Sequence, residues 1–95
     1  MSTVEQARET VEIVNVKGLH ARASAKFVNT VAMLPEGLRV TVTKDGMEAG
    51  GGSILGLMML GAAKGDRIEI AVIGEGADQA LARLVGLIVD GFGED

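Results

Sequence analysis

The chain holds one histidine in 95 residues, and that histidine lies in the chain's one cationic stretch. Gly18-Leu19-His20-Ala21-Arg22 sets the imidazole two positions before an arginine, with Lys17 and Lys26 close by. No Asp or Glu occurs between Ile13 and Pro35, so this segment carries +3 against −7 over the remainder and −4 overall. An unperturbed imidazole titrates at about pH 6.5, so much of it is neutral and nucleophilic near neutrality. Small and apolar residues recur at Ala21, Ala25, Val28 and Ala32 with helical spacing, which puts His20 at the entry of a helix. The first N–H groups of a helix lack internal partners and carry partial positive charge, and so attract anions. A phosphate held there would also meet the planar fork of Arg22. The constellation suits a phosphorylatable histidine with an oxyanion cradle attached. On spacing alone, a histidine merely tolerated at a helix end stays open as the alternative.

Other chemistries find little support. Cysteine is absent, which excludes disulfides and thiolate metal sites, and a single histidine argues against a zinc cluster. We therefore expect no metal. No acidic residue lies near His20 in sequence, so a serine-histidine-acid hydrolase would have to recruit one through the fold. No G-x-x-x-x-G-K-[ST] motif is present, so a nucleotide-binding P-loop is excluded. A net charge of −4 argues against nucleic-acid binding by phosphate neutralisation. The longest uncharged run, Ala49 to Ala63, has fifteen residues and five glycines, short of the roughly 20 apolar residues that span a bilayer. Residues 1–9 contain no apolar leader-like run, which points to a cytoplasmic protein.

Residues 1–10 read as a polar, mobile tail, and 11–95 as a single domain. Val11 to Val16 is rich in β-branched residues and predicts a strand, its alternation spoiled at Val14 and Asn15. A helix follows from Ala21 to about Met33, stopped by Pro35 and Gly37. Leu38, Val40 and Val42 alternate with polar residues, and Asp45-Gly46 predicts a tight hairpin into a short strand over 47–49. Ser53 is placed as N-cap of a short helix reaching Leu60. Arg67 to Ile73 alternates again, and Ala77, Leu81, Leu84, Val85 and Ile88 trace an amphipathic helix. The order is β-α-β-β-α-β-α, a sheet with one buried face and three helices to cover it.

The second helix is apolar around its whole axis: Ile54, Leu55, Leu57, Met58, Met59 and Leu60. A helix on a sheet buries only part of its circumference, so some of these side chains should face water as a partner site. Ile54 and Met58 are expected to be the outward pair, four residues apart.

Two stretches together resemble a known family. Gly18-Leu19-His20-Ala21-Arg22, followed by a small-residue helix, is similar to the active-site signature of HPr. These proteins are the histidine-containing phosphocarriers of the bacterial phosphotransferase system. Ser53-Ile54-Leu55-Gly56-Leu57-Met58-Met59-Leu60-Gly61 resembles the family's regulatory serine and hydrophobic docking helix. The likeness runs from about Val11 to Phe92, and the two motifs stand thirty-three residues apart. It implies an α+β open-faced β-sandwich, a four-stranded antiparallel sheet covered on one face by three helices.

The resemblance further implies that His20 accepts a phosphoryl group on Nδ1 from phosphorylated Enzyme I and passes it to an EIIA-type protein. Arg22 would then stabilise the phosphate, with the backbone of Ala21 and Ala23 cradling it. Most relatives have proline where this chain has Ala23, and alanine keeps an N–H that can serve the phosphate. Ser53 would be the phosphorylation site of an HPr kinase/phosphorylase, although Gly50-Gly51-Gly52 stands where relatives often carry a lysine; a plain helix cap is the alternative. Leu19, Ile54, Leu55 and Met58 are assigned to partner docking. The expected protein is a monomeric carrier rather than an enzyme, needing no cofactor, because its donor is already a phosphohistidine. The competing reading is a non-catalytic regulatory module that binds partners through the apolar second helix and Ser53.

Overall fold

The computed structural model describes residues 5–94. The elements run β1 (Gln6–Glu12), α1 (Ala21–Ala32), β2 (Arg39–Lys44), β3 (Met47–Gly50), α2 (Ile54–Met59), β4 (Arg67–Ile73) and α3 (Ala77–Val89), followed by a 3-10 turn at Gly91–Gly93. The strands form one sheet in the order β1-β4-β2-β3, with every neighbouring pair antiparallel. Helices cover one face and leave the other open, the α+β sandwich expected from the element order and the family resemblance.

Alternation explains the two central strands. Val40 and Val42 of β2 stand opposite Val72 and Ile70 of β4, and all four are buried. Their neighbours Thr41, Thr43, Glu69 and Ala71 therefore fall on the open face. Phe27 from α1, Leu57 from α2, and Leu84 and Ile88 from α3 complete the core. Each such side chain contributes about 1.5–3 kcal/mol by leaving water. The β2–β3 hairpin turns at Asp45 and Gly46, both at positive φ, as a two-residue turn of this handedness requires.

The first strand departs from expectation. It occupies Gln6–Glu12, not Val11–Val16, so much of the stretch read as a tail pairs with β4 in register from Gln6↔Ile73 to Glu12↔Arg67. Residues 1–4 lie outside the described residues. The reason for the misreading is physical. β1 is an edge strand with only Ala7 and Val11 buried, and its polar residues face water, where charge protects an edge from mispairing. Beyond it the chain leaves the ladder, and the β-branched Val14 and Val16 stand exposed in a loop.

Candidate functional site

His20 occupies the N-cap of α1 in an extended conformation, and its Nδ1 accepts the backbone N–H of Arg22 at 3.3 Å. The backbone carbonyl of His20 accepts from Ser24 at 2.9 Å and opens the helical hydrogen-bond ladder. Gly18 positions this helix entry. It has φ of +63°, and a Cβ there would lie 2.2 Å from the carbonyl oxygen of Ala62. Both its conformation and the close backbone approach therefore exclude a side chain. The next residue, Leu19, donates its N–H to that same Ala62 carbonyl at 2.9 Å.

This turn corrects one expectation. The family resemblance assigns Leu19 to partner docking, but it is only 5% exposed and belongs to the core. The backbone bond to Ala62 turns its side chain inward.

Around His20 lies an open depression of about 590 Å³, lined by Val16, Lys17, His20, Ala21, Arg22, Lys26, Gly93 and Glu94. Its walls supply the imidazole, the cations read from the sequence, and one carboxylate that the sequence did not signal. The Nε2 of His20 and the Oε2 of Glu94 are 2.8 Å apart. With Nδ1 accepting from Arg22 and Nε2 facing a carboxylate, the ring proton belongs on Nε2 and the Nδ1 lone pair faces the helix amides. Glu94 also accepts from the Asn15 side-chain amide at 3.2 Å. Its carboxyl is held below the usual value, chiefly by the His20 hydrogen bond. Burial opposes this, while the Asn15 bond and the charges of His20 and Lys26 add to it.

Glu94 reaches the site because the chain folds back after α3. Gly91, Phe92 and Gly93 all take positive φ, and the Phe92 ring is fully buried. A bulky residue rarely tolerates that backbone, so burial of the ring is what offsets its strain. The Lys26 ammonium donates to the Phe92 carbonyl at 2.6 Å and pins the segment to α1. Asn15 carried a faint sequence signal, a polar residue interrupting a β-branched run. Glu94 carried none.

Ser53 caps α2, its hydroxyl accepting the Gly56 N–H at 2.9 Å. Leu57 and Leu60 of this segment are buried, while Ile54, Leu55, Met58 and Met59 are exposed by 41, 68, 40 and 68%. An outward apolar face therefore exists. Its most exposed pair is Leu55 and Met59, with Ile54 and Met58 only partly outward. α1 packs beside α2, but Ser53 is not among the residues lining the His20 depression. Among the described residues no His, Cys, Asp and Glu side chains cluster as metal ligands, and no helix is long and apolar enough to cross a membrane.

Comparison with known proteins identifies the family of this fold. The family model described as the PTS HPr component phosphorylation site matches residues 7–90. The phosphocarrier protein HPr of Neisseria meningitidis serogroup B is 45% identical over 87 residues, covering 92% of this chain and 96% of the relative. The phosphocarrier protein NPr of Escherichia coli is 37% identical over 91 residues, covering 93% of this chain and 97% of the relative. The crystal structure of HPr-C-His from Thermoanaerobacter tengcongensis superposes with a TM-score of 0.86 at 36% identity, covering 94% of this chain and 98% of that one. The chain belongs to the HPr family of phosphotransferase-system phosphocarriers, proteins that carry a phosphoryl group and are not enzymes.

Proposed function

We propose that this phosphocarrier accepts its phosphoryl group on Nδ1 of His20 from phosphorylated Enzyme I and hands it to an EIIA-type protein. The observation that carries this reading is the orientation of the ring. Nδ1 faces the first turn of α1, and Nε2 faces Glu94. In the transfer, Nδ1 gives up the long 3.3 Å bond from the Arg22 N–H and its lone pair forms a bond to phosphorus, while the donor's nitrogen–phosphorus bond breaks and its electron pair returns to the donor imidazole. The Nε2 proton stays on the ring, and Glu94 balances the positive charge that grows there. Arg22 and the amides of Ala21 and Ala23 receive the phosphate oxygens. Phosphoryl transfer depends on positioning and charge stabilisation, which a small domain can supply. The onward step is the same exchange with an acceptor histidine.

Docking is assigned to the outward face of α2: Ile54, Leu55 and Met58, with Met59 added. Ser53 is the regulatory candidate for an HPr kinase/phosphorylase, because a phosphate on this exposed cap would set charge beside that apolar face. The working unit is read as a cytoplasmic monomer.

The test is incubation with Enzyme I and phosphoenolpyruvate, followed by intact mass. Wild type should gain one acid-labile phosphate and His20→Ala none. A wild-type protein that binds Enzyme I but gains no phosphate would support the regulatory binding module instead.

A further inference from the structure

We propose that Asn15 is a positioning residue for His20, acting through the carboxylate of Glu94. The inference rests on the reading of His20 as the phosphoryl acceptor. Asn15 lies in the loop after β1 and is only 5% exposed. Its backbone carbonyl accepts the Gly18 N–H at 3.2 Å, and its side-chain amide returns a bond to the Gly18 carbonyl at 2.8 Å. That reciprocal pair closes the turn before the helix and fixes the amide independently of the C-terminal segment. The second amide proton points to Oε1 of Glu94 at 3.2 Å, while Oε2 of the same carboxylate meets His20 at 2.8 Å. One carboxylate thus bridges a fixed peg and the reacting ring.

The other atom of the Asn15 amide shows what this arrangement costs. Its Oδ1 is buried and has no hydrogen-bond partner among the described residues. A buried acceptor left unpaired is unfavourable, and an apolar side chain at this position would avoid it. Closing the turn uses one of the two donors; the other is directed at the carboxylate. Aspartate in the same place would set two carboxylates against each other.

The consequence follows from what else lines the depression. Lys17, Arg22 and Lys26 share it with His20 and Glu94. A Glu94 side chain released from Asn15 can swing toward these cations, above all toward Arg22, where a phosphate would have to sit. Asn15 thus does two things. It keeps the carboxylate on Nε2, which leaves the Nδ1 lone pair for attack, and it keeps that carboxylate out of the phosphate's place.

A double-mutant cycle of Asn15→Ala and Glu94→Ala tests this. The readouts are the ring nitrogen shifts of His20 in the unphosphorylated protein and the rate of phosphorylation by Enzyme I and phosphoenolpyruvate. Asn15→Ala should move the Nε2 shift toward its value in Glu94→Ala and slow phosphorylation roughly three- to tenfold, as expected for coupled contacts. In the Glu94→Ala background it should do nothing further. Equal effects in both backgrounds, or an unchanged rate, would overturn the proposal. Because Asn15→Ala opens a turn, a wild-type measurement accompanies it. The Asn15 side-chain amide resonances should follow the titration of the Glu94 carboxyl, and their indifference to it would overturn the proposal equally. The ring and amide measurements need no phosphoryl transfer, so a failure of the carrier reading is recognised separately, by the absence of any mass gain.

Discussion

The carboxylate of Glu94 meets the Nε2 of His20 at 2.8 Å across a sequence separation of 74 residues. An acid orienting an imidazole is the arrangement by which a histidine is activated, either as a base for another nucleophile or as a nucleophile itself. Among the described residues no serine lines the depression, and Ser24, nearby in α1, is fully buried with its hydroxyl donating to the Leu19 carbonyl at 3.2 Å. The oriented imidazole is itself the nucleophile in the function proposed above.

Replacing His20 by alanine should abolish phosphate acceptance while the domain stays folded. The side chain supplies one long cap hydrogen bond, the Nε2 contact with Glu94 and little core packing, so the stability loss should stay within about 2 kcal/mol. Thermal melts and intact mass after treatment with Enzyme I check both halves. An acid-labile phosphate on the variant would remove His20 as the acceptor.

Arg22→Ala should slow phosphorylation without stopping it, because the first-turn amides remain in place. A charge-assisted hydrogen bond is worth about 1.5–3 kcal/mol, which corresponds to very roughly one to two decades in rate. Rapid-quench kinetics equal to wild type would take Arg22 out of the cradle.

The carboxyl of Glu94 is held below its ordinary value of 4.5, so its ionised contact stabilises the folded state fully above that pH. The contribution is lost as the pH falls through the lower, folded-state value. Wild type should therefore melt above Glu94→Gln at pH values above 4.5, and the gap should close on further acidification. A gap that persists unchanged in acid would show that the ionised carboxylate is not its source.

On α2, Leu55→Glu and Met59→Glu should change stability by no more than about 0.5 kcal/mol, because both side chains already face water. Ile54→Glu and Met58→Glu, partly covered, should cost somewhat more. All four should weaken binding to Enzyme I by putting a charge into a dry contact, and Ser53→Asp should do so more mildly. Leu57→Ala, on the buried side, should instead cost about 2–5 kcal/mol. Calorimetric binding together with melts separates the two faces, and unaltered affinity in all the glutamate variants would move the docking surface elsewhere.

Leu19→Ala tests the corrected position of that residue. As a core side chain it should destabilise the domain by about 2–5 kcal/mol in urea unfolding. Wild-type stability with weakened partner binding would return Leu19 to the surface.

Much of this protein was determined by local sequence. Val40 and Val42, and Ile68, Ile70 and Val72, alternate strictly because one face of each central strand is buried, and that period survives in any reading of the chain. His20 and Ser53 sit at helix entries because capping is a contact within three residues, and the Asp45-Gly46 turn needs only its own two backbone conformations. What tertiary structure alone decided involves partners far apart along the chain. Gln6–Glu12 is polar and becomes a strand only because β4 offers it a free edge. Leu19 turns inward because the Ala62 carbonyl receives its N–H. Glu94 becomes part of the site because the buried Phe92 ring and the Lys26 ammonium fold the last turn back onto α1. Each of these is a long-range contact whose energy appears only once the sheet and helices are assembled, so no periodicity near Glu94 or Gln6 could announce it.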